Sequence, residues 1–528
     1  MSPKALVHSH AHEGEIPGTV DLRAVEGDDT CYGQALFPVP ADDPNDPLQW
    51  APGKKLAILI ICSLYSFLGN AALLGPAVYI SLFSEEFKIS PTVASNLVSY
   101  PNLAYGFGSL ILVPAYLKFG RRPIMLISML MYLFGLVGCS RATTYPGLMG
   151  ARVVAAFGSG VCEALPVQLV NDIYFLHERG KRLGWYTICL CWGSTGPLYA
   201  GYMLNAGLGW RLYFYVLIAF AGALFIATFL VVEETSYRRI ISVSPAPSIS
   251  KLEKEPRQEN LQVELMRPPR RSFIATLKPW SGINHDAEFF MTQIRAFSYF
   301  FVPAVFWVIT SFGIYIGLGA LAFNYTFPSI IIAPPYNWAP TNSGLIALSN
   351  IVGYSLALPF TSSSDRLAAR LTRKNGGIRE AEMRLGVMLP AMLIGPAGLI
   401  VYGFTAERQL HFMGYFAGVA MTDWASYFYF TFALAYAIDS QTANTSEMLI
   451  AMNLGKQAIS FGMGIYLLSW IQKYGYTVMI AGIFGGVLLA NNLGVPLFMW
   501  KGKAIRRYFH STWLAKLHVR TATLNEVA

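Results

Sequence analysis

The chain has 528 residues, of which 54% are hydrophobic and only 13% are charged. Soluble proteins carry about 25% charged residues, so a chain with half that share cannot cover a water-exposed surface. Ordinary soluble domains, disordered chains and collagen-like repeats are therefore excluded. The formal net charge of +9 would fit a nucleic-acid-binding protein, and only the positions of the basic residues decide its meaning.

Residues 1–55 are polar and rich in Asp, His and Pro, which predicts a disordered tail without a secretory signal. A membrane-crossing helix needs about 20 mostly apolar residues. By that measure a first half at 56–232 contains six spans, at 56–80, 94–117, 122–140, 147–171, 183–206 and 211–232.

A stretch rich in Pro, Ser and charged residues at 233–297 predicts a flexible linker. A second half at 298–500 then contains six more spans, at 298–322, 342–362, 385–404, 411–438, 446–470 and 476–500. A tail at 501–528 ends the chain. The sequence therefore predicts an all-α membrane protein with 12 transmembrane helices.

The basic residues predict the orientation of these helices. With the spans above, 32 of the 39 Lys and Arg residues fall on one side of the membrane. Because loops rich in Lys and Arg stay in the cytoplasm, we expect cytoplasmic termini and a cytoplasmic linker in a multi-pass plasma-membrane protein. The +9 charge thus reports topology. The sequon at Asn324 follows the seventh span, on the outer side, and is a glycosylation candidate in a loop.

Away from the span ends, four charged residues lie inside the spans: Arg152 and Glu163 in the fourth, Asp423 in the tenth and Lys456 in the eleventh. A charge at mid-bilayer costs at least about 2.5–3.5 kcal/mol, so each must face protein or a water-filled cavity. Two cations and two anions sum to zero, which predicts a paired interior.

Arg152 and Glu163 are eleven residues apart, which in a continuous helix puts them on one face about 16 Å apart. Burial favours the neutral form of a carboxylate, so Glu163 is a candidate for proton exchange. The alternative is a structural ion pair between Glu163 and a neighbouring helix. Asp423 has Tyr427 one turn later, which predicts that Tyr427 lines a cavity.

The eleventh span adds a polar patch of Asn453, Lys456 and Gln457. Together with Arg152, Glu163, Asp423 and Tyr427, these are the candidates for substrate binding or proton coupling. Neither a metal-ligand pattern nor a Ser/His/Asp spacing falls among the spans, so we expect neither a metal site nor an enzyme.

Short motifs fall in a fixed order between and within the spans. They are Gly120-Arg121-Arg122 after the second span, Arg152 with Gly158 and Gly160 in the fourth, Gly193 and Gly196-Pro197 in the fifth, and Asp365-Arg366 after the eighth. In this order they resemble the major facilitator superfamily, and more narrowly the fungal relatives of its 12-span drug–proton antiporter branch. Val113 and Leu117 stand where that family's loop carries Gly and Asp, so the resemblance implies a latch through Asp365-Arg366 in the second half.

The resemblance implies two pseudo-symmetric six-helix bundles with a central site that opens alternately to either side. The sequence has no Gly-x4-Gly-Lys-Ser/Thr loop for ATP, so the expected energy source is a proton gradient, without a cofactor. We therefore expect a monomer that exports a small organic molecule such as a drug, toxin or secondary metabolite. The alternative is proton-coupled uptake of a cationic nutrient such as a polyamine. A non-transporting nutrient sensor is disfavoured, because the tail after Trp500 is short.

Overall fold

The structure is a computed structural model that describes residues 19–21, 43–174, 176–204, 207–236, 272–280, 282–284, 287–376, 378–440, 445–515 and 517. Long helices dominate these residues. In the first half they are α1 (Pro52–Glu86), α2 (Pro91–Phe119), α3 (Arg121–Arg141), α4 (Tyr145–Ile173), α5 (Leu176–Trp192, continued by Gly193–Thr195 and Gly196–Met203) and α6 (Arg211–Val231).

The second half repeats this pattern after two short helices, Phe273–Thr276 and Phe289–Ser298. Its long helices are α7 (Pro303–Ile332), α8 (Pro340–Phe360), α9 (Ala381–Arg408), α10 (Met413–Phe428, continued by Tyr429–Ala433 and Leu434–Ser440), α11 (Thr445–Tyr474) and α12 (Thr477–His510). A polar helix, Ser363–Lys374, lies between α8 and α9.

Eight of the helices in the described ranges are long and apolar enough to cross a membrane: α1, α3, α4, α6, α7, α8, α9 and α12. The prediction of a multi-pass helical membrane protein is therefore confirmed. Helices α2, α5, α10 and α11 lie at the other predicted positions.

Local sequence explains where several of these helices begin. Pro52 and Pro91 occupy the first turn of α1 and α2, where the missing N–H has no helical partner to lose. The Ser90 hydroxyl accepts a hydrogen bond from the Val93 N–H at 3.3 Å, and Thr144 caps α4 in the same way through the Gly147 N–H at 3.3 Å. Both side chains satisfy donors that a helix end leaves free.

Two helix pairs form the most extensive contacts between the two halves of the chain. Helix α2 lies along α11, and the second part of α5 lies against the beginning of α8. The approach of α5 to α8 is backbone to backbone: a Cβ added to Gly344 would lie 2.1 Å from the Pro197 carbonyl oxygen. Small residues allow such close contact between membrane helices.

Helix α7 is longer than the sequence predicts, and this corrects the position of Asn324. The predicted seventh span ends at residue 322, whereas α7 continues to Ile332. Asn324 therefore lies inside the helix, is only 3% exposed, and donates a hydrogen bond from Nδ2 to the Ala320 carbonyl oxygen at 2.7 Å. The predicted loop acceptor for a glycan is wrong, because the polar side chain is satisfied by its own helix.

A two-stranded antiparallel sheet was not predicted from the sequence. Thr19–Asp21 pairs with Ile378–Glu380, the segment that precedes α9. Glu380 also binds Lys503 and Arg506 of α12 at 2.8 and 2.9 Å. The strand from the N-terminal tail thus joins a charged cluster built by the second half.

Candidate functional site

An ion pair between Glu163 and Lys456 is the central feature of the candidate site. The Lys456 Nζ contacts the Glu163 Oε2, and the two side chains are 8% and 18% exposed, respectively. Glu163 belongs to α4 and Lys456 to α11, so the pair joins the two halves of the chain. It agrees with the predicted alternative of an ion pair to a neighbouring helix.

The predicted geometry of Glu163 relative to Arg152 is wrong. Regular helix in α4 ends at Ser159, a turn follows at 160–163, and helix resumes at Ala164 with Glu163 at its N-cap. The two charged residues therefore do not share one face of a continuous helix. The Tyr186 hydroxyl is hydrogen-bonded to the Cys162 and Glu163 carbonyl oxygens of this turn, at 3.1 and 3.0 Å.

Arg152 binds backbone carbonyls. Its guanidinium donates to Leu97 O at 2.5 Å, Leu73 O at 3.0 Å and Ala72 O at 3.3 Å. Two of these carbonyls lack their helical donor, because Pro76 and Pro101 stand four residues after Ala72 and Leu97 and have no N–H. Arg152 thus replaces two hydrogen bonds that the prolines remove from α1 and α2.

Asp423 is buried without a protein partner for one of its oxygens. It is 5% exposed, and Oδ2 has no hydrogen-bond partner among the described residues. It faces Gly353 of α8, where an added Cβ would lie 3.0 Å from the Asp423 Cβ. Cys191 of α5 is close enough to interact electrostatically with Asp423, Glu163 and Lys456. Of the four charged residues predicted inside the spans, Glu163 and Lys456 therefore pair with each other, whereas Arg152 binds carbonyls and Asp423 Oδ2 has no partner among the described residues.

Tyr427 follows Asp423 by one helical turn, as the sequence predicts. It is 1% exposed, and its hydroxyl forms a hydrogen bond with the Thr361 hydroxyl at 3.1 Å. Its place beside a cavity stays a prediction.

Asn453 and Gln457 flank Lys456 on α11, as the predicted polar patch requires. Asn453 donates from Nδ2 to the Gly160 carbonyl oxygen of α4 at 3.4 Å, and Gln457 packs against Gly106 of α2. The patch therefore faces the first half of the chain.

The Gly120-Arg121-Arg122 motif forms a compact turn held by two acids. Gly120 has φ +103°, and a Cβ there would lie 2.6 Å from Glu234 Oε2. The Glu234 carboxylate accepts from the backbone N–H groups of Arg121 and Arg122 at 3.0 and 3.2 Å. The Arg121 side chain pairs with Asp172 at 3.1 Å.

Arg122 is directed into the helix ends nearby. Its guanidinium donates to Phe229 O at 2.7 Å and Leu277 O at 3.3 Å. It therefore ties α3 to the end of α6 and to residue 277, within the predicted linker.

A link between the halves near this turn runs through neutral side chains. Gln168 of α4 donates to Asp172 at 3.2 Å and accepts from the Ser446 hydroxyl of α11 at 3.0 Å. Asp365 and Arg366 lie in the helix Ser363–Lys374. The Asp365 side chain lies outside the described part of the structure, and Arg366 is exposed, so the latch in the second half stays a prediction.

The glycine motif of α5 marks a close approach to α1. An added Cβ would lie 2.6 Å from Asn70 Cβ at Gly193, and 2.5 Å from the Ala71 carbonyl oxygen at Gly196. Pro197 begins the second part of α5 and contacts α8 through its carbonyl. The motif therefore sets the packing of α5 between the two halves.

The comparison with known families agrees with this fold. The model of the Major Facilitator Superfamily matches residues 59–470, more than half of the chain. The chain belongs to this superfamily, whose members are membrane transporters for small molecules.

Two curated fungal relatives and one solved structure illustrate the similarity. The "Trichosetin biosynthesis cluster MFS transporter" of Gibberella fujikuroi is 25% identical over 78% of this chain and 76% of its own length. The "Probable efflux pump mfs2" of Aspergillus flavus is 24% identical over 81% of this chain and 97% of its own length. The E. coli xylose transporter XylE, in a partially occluded inward open conformation, aligns with a TM-score of 0.57 at 13% identity, covering 85% and 98% of the two chains. The XylE likeness shows the fold alone.

Sequence reasoning missed the neutral residues around the ion pair. Tyr105, Tyr186 and Cys191 all lie close enough to Glu163 to interact electrostatically. For α2, the sequence does contain a pattern that could have indicated them: the polar residues Asn102, Tyr105 and Ser109 are spaced three and four apart and so lie on one helical face.

Proposed function

We propose that this protein is a 12-span secondary transporter that exports a small, partly apolar organic molecule in exchange for protons. Two six-helix bundles, residues 56–232 and 298–500, rock about a central site, with both termini and the linker in the cytoplasm of the plasma membrane. The relatives named as an efflux pump and a biosynthesis-cluster transporter support export.

The observation that carries this proposal is the Glu163–Lys456 ion pair between α4 and α11. A proton on Glu163 removes one of the two charges and leaves the Lys456 ammonium without its partner. Breaking a buried pair in this way is unfavourable by about 3–5 kcal/mol, enough to shift a two-state equilibrium by more than a hundredfold. Protonation therefore favours separation of α4 from α11, and this links proton movement to the opening of the site.

The buried Asp423 carboxylate favours a transported molecule that carries a positive charge. A carboxylate buried in the membrane without a partner is stabilised by a cation or by a proton. This observation also favours the second candidate function, uptake of a cationic nutrient such as a polyamine. The two candidates differ in the direction of transport.

Transport of ethidium into inverted membrane vesicles tests the proposal. Ethidium carries a permanent charge and aromatic rings, so any effect of pH on its movement arises in the protein. We expect accumulation that depends on an imposed proton gradient and disappears with a protonophore. Accumulation that survives the protonophore would contradict proton coupling, and gradient-dependent spermidine uptake by right-side-out vesicles in place of ethidium export would favour the nutrient importer.

A further inference from the structure

Helices α2 and α11, which pack along each other, carry six buried polar atoms that have no hydrogen-bond partner within the described ranges. We call them the polar ladder: Asn102 Nδ2, Tyr105 OH and Ser109 Oγ on α2, and Asn453 Oδ1, Gln457 Oε1 and Ser460 Oγ on α11. None of the six residues is more than 3% exposed. The ladder is therefore inside the protein and not at the lipid surface.

The spacing of these residues places them on one face of each helix. Three and four residues make up about one helical turn, and the ladder follows that step on both α2 and α11. The register of the two helices is fixed by two contacts: an added Cβ at Gly464 would lie 2.8 Å from Ser99 Oγ, and one at Gly106 would lie 3.2 Å from Gln457 Cβ.

Ser99 is thus level with Gly464, and Gly106 is level with Gln457, so the two helices run in opposite directions. With this register, each α2 member of the ladder lies level with an α11 member to within one residue. The three levels are Asn102 with Ser460, Tyr105 with Gln457, and Ser109 with Asn453.

A buried polar atom without a partner destabilises a protein, and six along one interface need an explanation. The ladder combines donors, acceptors and hydroxyls that serve as both. A water molecule in a protein interior binds two to four such groups. The chemistry of the ladder therefore matches water, whereas an apolar molecule would leave every one of these atoms unpaired.

The ladder runs beside Glu163. The turn of α4 that carries Glu163 begins at Gly160, where an added Cβ would lie 2.4 Å from the Tyr105 carbonyl oxygen and 2.8 Å from the Ser109 nitrogen. Tyr105 interacts electrostatically with Glu163, and Asn453 binds the Gly160 carbonyl oxygen. The middle and lower levels of the ladder are therefore the ones next to the ion pair.

The titratable groups around Glu163 come from three neighbouring helices. They are the Lys456 ammonium of α11, the Tyr105 hydroxyl of α2, and the Tyr186 hydroxyl and Cys191 thiol of α5. Lys456 is the one of the four that forms an ion pair with Glu163. A proton that reaches Glu163 therefore acts mainly on its pair with Lys456.

We propose that the polar ladder binds a file of water molecules that conducts protons between the Ser99 end of α2 and Glu163. This inference rests on the proposed function, in which Glu163 accepts the coupled proton. In the last step a hydronium ion gives its proton to the Glu163 carboxylate, which leaves a neutral carboxylic acid and a water molecule. Lys456 keeps its charge.

The dimensions fit a path that covers part of the membrane. Residues 102–109 rise by about 10 Å along α2, or about a third of the hydrocarbon thickness. Polar groups continue beyond Asn102, since the Ser99 and Tyr325 hydroxyls are 3.1 Å apart and Tyr325 lies 3.5 Å from the Ser95 carbonyl oxygen.

The test compares two modes of transport in proteoliposomes that contain the full chain. One mode is ethidium accumulation driven by a proton gradient, and the other is ethidium exchange at equal pH, which needs no net proton movement. Asn102→Leu replaces a ladder side chain with an apolar one of similar size, and Asn102→Ser replaces the amide with a hydroxyl, so the position stays polar. Ser460→Ala removes a ladder hydroxyl, and Ser469→Ala removes one on the same helix that is bonded to Tyr466 O at 2.8 Å.

For Asn102→Leu we expect gradient-driven accumulation to fall about tenfold, the effect of a barrier raised by about 1.4 kcal/mol, with exchange within about twofold of the parent. Ser460→Ala should lose accumulation in the same way, whereas Asn102→Ser and Ser469→Ala should behave like the parent. Unchanged accumulation in Asn102→Leu would overturn the proposal. Exchange that falls in parallel with accumulation would also overturn it, because it would make the ladder a structural or substrate contact.

Glu163→Gln separates failure of this inference from failure of the proposed function. If Glu163→Gln still accumulates ethidium against a proton gradient, the proposed coupling role of Glu163 is wrong regardless of the ladder. If Glu163→Gln loses accumulation and keeps exchange, while Asn102→Leu accumulates like the parent, only the ladder is wrong.

Discussion

Replacing Arg152 with leucine should destabilise the protein far more than its loss of charge alone would. The side chain donates to three backbone carbonyls, at Leu97, Leu73 and Ala72. Pro101 and Pro76 remove the helical donors of Leu97 and Ala72, so these two carbonyls have no other helical partner. Leaving a buried acceptor unpaired costs about 1–3 kcal/mol, which gives a loss of about 2–6 kcal/mol in the free energy of unfolding for the two.

Chemical unfolding in detergent micelles, followed by tryptophan fluorescence, measures this loss. Arg141→Leu is the matched control, because Arg141 is exposed at the end of α3 and should change stability by less than about 0.5 kcal/mol. A further variant, at one of the two prolines, makes the test more specific. Pro101→Ala restores an N–H four residues after Leu97, so in the Arg152→Leu background it should recover about 1 kcal/mol.

A double-mutant cycle of Arg152→Leu and Pro101→Ala gives the interaction between the two positions directly. The reasoning is refuted if Arg152→Leu is no more destabilising than Arg141→Leu. It is also refuted if Pro101→Ala has the same effect with and without Arg152, since the arginine would then not replace the missing helical bond.

Three further outcomes follow from the buried residues. Gly120→Ala should lower the free energy of unfolding by about 1–3 kcal/mol, because φ +103° is accessible almost only to glycine; an unchanged unfolding midpoint would argue against this turn. Asn324 should carry no glycan. Glycosidase treatment of protein from a eukaryotic host should therefore change the mobility of the parent and of Asn324→Gln equally. Asp423→Asn should be at least as stable as the parent, since it removes a buried unpartnered carboxylate, yet should bind ethidium about tenfold more weakly in equilibrium binding assays. Unchanged ethidium affinity would exclude Asp423 from cation binding.

Helix positions could be predicted because they depend on local composition. A run of about 20 apolar residues must form a helix in a bilayer to satisfy its backbone, so the predicted spans and the observed helices largely coincide. The end of α7 could not be placed in this way. Asn324 and Thr326 look polar in sequence, but each bonds a carbonyl four residues earlier, and the helix continues through them.

The partners of the buried charges depend on contacts that leave no local pattern. Glu163 and Lys456 are 293 residues apart, and Gly160, in the turn before Glu163, packs directly against α2. The sequence therefore identified both residues and their cost in the membrane, but left open which charges pair. The role of Arg152 could have been predicted in part. A proline inside a helix leaves the carbonyl four residues earlier without its N–H donor, and two such carbonyls lie in the neighbouring spans.

Proton release during ethidium transport tests the central claim, that the Glu163–Lys456 pair links proton movement to transport. In proteoliposomes with a trapped pH dye, ethidium addition to the parent should move protons in the opposite direction. Glu163→Gln should exchange ethidium without moving protons. Equal proton movement per ethidium in the parent and in Glu163→Gln would contradict the account.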